Sequence, residues 1–309
     1  MPASGTEAPH VAGARIAPHL QCRTGDHARA ADGARVETLL VPASEPRMGL
    51  VWLPALGVPA RAYLALASQL AGQGISTLVH EWRGIGSSSV RASRGVDWGY
   101  AQLLSGDLPA TAASAASQLA GLPLCWGGHS LGGQLATLHL ARRPQDGSGL
   151  VLVGSGAPYW RAQRPPIAAA LWAAMAGVPV LTAAMGFLPG RHIGFGGREA
   201  RGVMRDWLRC VRTGRYHADG LVEDLEAALS RLNHPVLALH LRDDAFGPRS
   251  ALDHLLGKLA TPSPSIVMLG PDHLQAPADH FAWMKHPGRV AAEVDGWWAS
   301  LPHKAEGPA

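Results

Sequence analysis

Seven short apolar runs, separated by stretches of helical spacing, constrain the fold more than any other feature of this sequence. The runs cover 36–41, 49–53, 76–81, 122–126, 149–153, 236–241 and 265–269. Several are apolar at every position, as strands covered on both faces must be. Between them, 60–71, 107–120, 131–141, 249–259 and 286–300 carry helical patterns. Strands that alternate with helices pair in parallel through crossovers, so the expectation is an α/β fold, a mostly parallel sheet flanked by helices.

The alternation stops after Ser155 and resumes at Pro235. The intervening residues read as helical, so 158–231 is expected to be a helical cap inserted into a core formed by 34–157 and 232–303. Segments 1–33, rich in Pro, Ala and Gly, and 304–309 are expected to be flexible. The chain has 309 residues, 47% of them apolar, enough for a large core. Within the cap, residues 165–190 contain no charge (PPIAAALWAAMAGVPVLTAAMGFLPG), a length that could span a bilayer. Gly177 and Pro179 near its middle should break one helix into two. The expectation is a buried or lid-forming helix pair, with peripheral membrane contact through the cap left open.

Charge excludes some partners. The net charge is +4, yet nine Arg and three acids between Ala157 and Gly220 make that segment +6, so the rest of the chain is −2. A basic patch confined to one segment, with three Lys in the whole chain, is not a nucleic-acid stripe. Arg198, Arg201, Arg205, Arg209 and Arg212 recur every three or four residues, which aligns them on one helix face. A solvated face is the favoured reading and a site for an anionic substrate end the alternative. Cys22, Cys125 and Cys210 form no CxxC and cannot all pair, and the first twenty residues lack a signal-peptide pattern, so a cytoplasmic setting is expected. No HExxH or paired Cys/His spacing suggests a metal, and no cofactor is expected.

The sharpest local signal is Gly128-His129-Ser130-Leu131-Gly132, placed between an apolar strand and a helical run. A nucleophilic Ser on a tight strand-to-helix turn needs small neighbours and gains the positive end of the following helix. Such a Ser needs a His base, and the His needs a carboxylate. In the order Ser, acid, His, the strand at 236–241 is followed by Asp243 and Asp244; Asp244 is preferred because it stands four residues before a helix-opening Pro, with Asp243 the fallback. His280 lies between the last strand and the last helix, and is preferred over His273 and His286. Oxyanion stabilisation requires two backbone N–H donors. Leu131, next to the nucleophile, and Leu56, in the turn after the strand at 49–53, are the candidates. Trp160, Trp172 and Phe187 are candidates for an apolar substrate-binding pocket.

Together, LVWLPALG, EWRGIGSSS, GHSLGG, DDAFGP and DHFAW, in that order, resemble the α/β-hydrolase fold over roughly 33–301. PALGVPARAY and LPGRHIGFGGREARGVMRDW are similar to a bacterial group of α/β-hydrolases related to serine aminopeptidases and lysophospholipase-like enzymes. In this chain Pro54-Ala55 replaces the more usual His-Gly of the oxyanion turn. The resemblance implies a structural role for the Arg83-Gly84-x-Gly86-x-Ser88 turn. It also implies a cofactor-independent, esterase-like serine hydrolase of small carboxylic esters or thioesters, with Ser130, His280 and Asp244 as the triad. The alternatives are an acyltransferase that uses the same groups and a non-catalytic ligand-binding protein.

Overall fold

The structure is a computed structural model that describes residues 23–24 and 28–302. Its central sheet contains β1 (Arg35–Val41), β2 (Met48–Leu53), β3 (Ile75–Glu81), β4 (Leu124–His129), β5 (Leu150–Val153), β6 (Val236–Leu241) and β7 (Ser265–Leu269). The spatial order is β1-β3-β2-β4-β5-β6-β7. Only β1 runs antiparallel to its longer neighbour, and the remaining pairs are parallel. Every expected strand is present. The largest shift is in β4, expected at 122–126, which continues to His129 because β2 and β5 extend the ladder on both sides: Leu53 pairs with Gly128 and Val153 with His129.

Alternation along the strands sorts side chains into two cores. Val51, Leu53, Leu78, Leu150 and Leu152 face one side, where they meet α2 (Leu108–Gln118), α3 (Leu131–Arg142) and the cap. Leu50, Trp52, Val79, Val151 and Val153 face the other and meet α1 (Leu64–Ala71) and α6 (Gly288–Ser300). With both faces covered, strand residues of either parity are apolar. The continuous runs in the sequence follow from this.

The cap lies between β5 and β6. It contains α4 (Pro165–Met185), a hairpin of Phe187–Pro189 and Arg198–Ala200, and α5 (Arg201–Thr213). The expected break at Gly177 and Pro179 does not occur, and α4 is one helix of 21 residues. Both residues are on its solvent side, and a Cβ at Gly177 would meet nothing within 4 Å. The opposite face, with Leu171, Met175, Val178 and Leu181 at helical spacing, packs against the core and holds one axis through the Pro. On α5 the Arg face is paired with acids: Arg201 with Asp97 at 3.2 Å, and Arg205 and Arg209 with Asp219 at 2.7 and 2.8 Å. These three are solvated ion pairs rather than an anion-binding row.

Residues 28–33 were expected to be part of a flexible segment, but they are attached to the core. Ala28–Arg29 pairs with β1, Ala30 is buried, and Asp32 accepts from Arg83 Nη1 at 2.8 Å. Arg23–Thr24, also in that segment, pairs antiparallel with β1 at Leu39 and Leu40; the rest of 1–33, Cys22 included, and the tail at 304–309 lie outside the described residues. Arg83, just after β3, also binds Asp107, with Nε to Oδ2 at 2.8 Å and a second contact from Nη2 to Oδ1. Both side chains are buried, so their pairing anchors the turn after β3 to the start of α2. Removing one partner leaves the other charge in an apolar setting. Asp107→Ala is therefore expected to lower the unfolding free energy by about 3 kcal/mol in urea titrations, with Asp32→Ala, at the half-exposed end of the cluster, losing less.

Candidate active site

Ser130 lies between β4 and α3 with φ 56° and ψ −121°, one of two non-glycine residues at positive φ among the described residues. Such a conformation costs about 1–3 kcal/mol and persists only where the surroundings enforce it. They do so by close approach. A Cβ at Gly132 would overlap the Leu53 carbonyl oxygen, one at Gly128 would overlap Gly132, and one at Gly133 would overlap the Ser155 hydroxyl. The Ser130 N–H donates to Val153 O at 3.1 Å. The side chain is thereby carried to the N-terminus of α3, where the helix dipole favours negative charge.

Asp244 follows β6, and its carboxylate is held on both oxygens. Oδ1 accepts from the N–H groups of Phe246 and Gly247 at 2.8 and 2.9 Å, and Oδ2 is 2.7 Å from His280 Nδ1. With Nδ1–H donating to the carboxylate, Nε2 of His280 is left as the acceptor. The loop carrying His280 is shaped by Asp279, whose Oδ1 accepts from Phe281 and Ala282, and by Trp283 Nε1, which donates to the His280 carbonyl at 3.1 Å. The His280 ring lies 4.7 Å, centroid to centroid, from that of His129, the residue before Ser130. The Ser130 hydroxyl itself makes no hydrogen bond among the described residues. Asp243 is an exposed partner of Arg242, and His273 accepts the Gly270 N–H in its own turn.

A buried relay that the sequence did not reveal joins the turn after β2 to this site. Tyr63 accepts the Ala55 N–H at 2.9 Å, so its hydroxyl proton goes to His129 Nδ1, also at 2.9 Å. Burial, with the nearby His280 adding to it, holds His129 well below the usual imidazole range, and the ring stays neutral. Trp82 Nε1 fixes the same turn by donating to Pro54 O at 2.8 Å. With the Ala55 N–H taken, the next one, of Leu56, has no partner among the described residues. No spacing rule signals a Tyr eight residues downstream as a clamp on this turn.

Leu56 and Leu131 line one small cavity together with Trp82, Ile85, Trp98, Leu103, Leu135, Val203 and Glu199. Its volume of about 20 Å³ accommodates about one water. Trp160, Trp172 and Phe187, expected in the acyl pocket, do not line it. The unbroken α4 leaves Trp172 58% exposed and edge-on to Trp160, while Phe187 lies beneath the Arg198 guanidinium. The cap reaches the cavity through Glu199 and Val203 instead, and its Gly-rich loop packs on the turn beside it. Gly57, at φ 75°, abuts Gly196 and Gly197 so closely that a Cβ would collide with their backbone. Glu199 is buried there and accepts the Gly197 N–H at 2.5 Å. Burial pushes its carboxyl up to about 7, against the pull of that N–H and of the Arg191 charge. Among the described residues no group of three or more His, Cys, Asp or Glu is arranged to hold a metal.

A parallel sheet with an antiparallel first strand, a Ser on a strained strand-to-helix turn and an Asp–His pair on the loops after β6 and β7 define the α/β-hydrolase class. The family model for serine aminopeptidases, S33, matches residues 44–206, and the chain belongs to that hydrolase family. Solved structures agree in fold. A soluble variant of monoglyceride lipase from Saccharomyces cerevisiae superposes with a TM-score of 0.65 at 16% identity, over 94% of this chain and 98% of that one. The ferulic-acid-bound Est1E of Butyrivibrio proteoclasticus gives 0.56 at 15% identity, over 90% and 98%. An esterase of Exiguobacterium antarcticum gives 0.57 at 16%, over 89% and 100%. No curated protein matches the chain.

Two measurements probe this architecture. Tyr63→Phe leaves the Ala55 N–H and His129 Nδ1 buried without a partner, and should cost about 2–3 kcal/mol in chemical denaturation; a change near zero would mean that the relay is not formed. Glu199 binds its proton more tightly folded than unfolded, so the stability it contributes is complete below about pH 4.5 and is lost as pH rises through about 7. Glu199→Gln keeps an acceptor for Gly197 but does not titrate. The variant should therefore be more stable than the parent at pH 8, by at most about 3 kcal/mol, with the gap closing at pH 5; parallel pH profiles would contradict the assignment.

Proposed function

We propose that the protein is a cofactor-independent serine hydrolase that cleaves carboxylic esters or thioesters with apolar acyl groups through an acyl-enzyme. Ser130 Oγ attacks the acyl carbon while His280 Nε2 takes its proton, and Asp244 stabilises the imidazolium that results. The N–H groups of Leu56 and Leu131 donate to the carbonyl oxygen as it becomes an oxyanion. Collapse of the tetrahedral intermediate breaks the bond to the alcohol or thiol, which leaves with the proton from His280. Water, deprotonated by the same nitrogen, then attacks the acyl-enzyme, and the carboxylic acid and free Ser130 are regenerated.

The observation that carries this reading is the Asp244–His280 pair at 2.7 Å, with its carboxylate held by two further N–H groups, beside a serine in an enforced strained turn. An esterase role is supported by the family and by the esterase and lipase neighbours in fold. A preference for apolar acyl chains rests on the leucine, isoleucine and tryptophan lining of the cavity. His129, neutral and fixed by Tyr63, would act as a positioning residue behind His280.

The test uses a small fluorophosphonate with intact-mass detection, followed by p-nitrophenyl esters of increasing chain length. One adduct should form on the parent protein and none on Ser130→Ala. Ester turnover should fall at least about 1,000-fold in Ser130→Ala and His280→Ala, and by less in Asp244→Asn. Equal labelling or turnover in the parent and Ser130→Ala would overturn the proposal.

A further inference from the structure

A helix on a protein surface normally presents polar residues to water, and α4 does not. Thirteen of its positions are exposed, and not one carries a charged, hydroxyl or amide side chain. Trp172 is 58% and Val180 71% exposed. The helix has a mean hydropathy of 1.8 over its most apolar 18 residues, yet only 11% of that window is buried. Its inward face explains the fold; its outward face covers nothing among the described residues. Continuous apolar surface of this kind marks a contact site.

The charges around α4 indicate what covers it. From Ala157 to Arg198 there are four Arg and no Asp or Glu. Arg161 and Arg164 are exposed at the N-terminal end of the helix and Arg94 and Arg191 are exposed near the other, where Arg94 donates to the Ala184 carbonyl. None of these four forms an ion pair among the described residues, in contrast to the acid-paired Arg face of α5. At the N-terminal end, Trp160 meets Trp172 edge-on at 5.8 Å and lies under the Arg161 guanidinium at 5.1 Å. Indole rings beside unpaired guanidinium groups suit the boundary between acyl chains and headgroups, and cations at both ends of an apolar strip match anionic phospholipid.

We propose that α4 docks the protein on an anionic phospholipid surface. The helix lies in the plane of the interface, with Trp172 and Val180 among the acyl chains and Arg94, Arg161, Arg164 and Arg191 at the phosphates. It does not cross the bilayer, because Leu171, Met175, Val178 and Leu181 stay packed against the rest of the protein. The surface stands apart from the chemistry of Ser130, so the two readings fail separately.

Vesicle sedimentation of the full chain tests this. The protein should pellet with phosphatidylcholine vesicles containing about 30% phosphatidylglycerol, and less with phosphatidylcholine alone. Binding to the anionic vesicles should weaken in about 0.5 M NaCl. Trp172→Glu combined with Val180→Glu should lower partitioning at least about tenfold, with an unchanged melting temperature on circular dichroism; Ala173→Glu, a single change at an exposed alanine, should lower it in the same direction. Ser130→Ala should bind as the parent does, so that a failed esterase reading leaves this result intact. Parent protein that stays in the supernatant with both vesicle types overturns the proposal, as does pelleting that neither Glu variant reduces. Light scattering that finds a stable dimer split by the double substitution, without vesicle binding, assigns the face to a second copy of the chain instead.

Discussion

The contact between the first turn of α3 and the carbonyl groups at the end of β2 is the constraint on which the site depends. Gly132 approaches the Leu53 and Pro54 oxygens so closely that no side chain fits. That approach fixes where α3 begins, and the chain leaving β4 must turn through the positive φ of Ser130 to reach it. The same packing brings the N–H of Leu131 and the turn carrying Leu56 to one cavity. A serine at the end of an ordinary strand would be one more polar residue. Here the backbone strain is held by glycines whose missing side chains are the space it needs.

The cap is joined to this region rather than merely placed above it. Its Phe195-Gly196-Gly197 loop rests on Gly57, one residue beyond the free Leu56 N–H, and its Glu199 closes the cavity wall. A second clasp is polar: Tyr100 N–H donates to Asp206 at 2.8 Å and Gly202 N–H to Asp97 at 3.0 Å. Movement of the cap therefore bears directly on the turn that presents the Leu56 N–H. The Tyr63 hydroxyl braces that turn from the other side.

Much of this was legible in the sequence, for identifiable reasons. Strands covered on both faces produce apolar runs that stand out without an alignment, and all seven are present. Chain order and loop position selected Asp244 over Asp243 and His280 over its neighbours, and those two side chains are found hydrogen-bonded. The Arg83 turn has the structural role inferred from resemblance, although its partners Asp32 and Asp107 could not be read from spacing. Other features depend on contacts between distant segments. Whether Pro179 breaks a helix is decided by what Leu171, Val178 and Leu181 pack against, not by the Gly and Pro themselves. The cavity lining is not legible in the sequence because Glu199 and Val203 reach it from the cap, and nothing in an uncharged run marks Trp172 as facing solvent.

The smallness of the cavity has a consequence for any ligand. On the proposed reading, a space that holds about one water would admit an acyl chain only in conformations where the cap or the side chains beneath it have moved. If the open form is a minor fraction of the molecules, every apparent affinity is weakened by that same fraction, whatever the ligand's own contacts. The Gly57–Gly197 seam would then set a common scale for all ligands, while the residues around Ser130 distinguish among them.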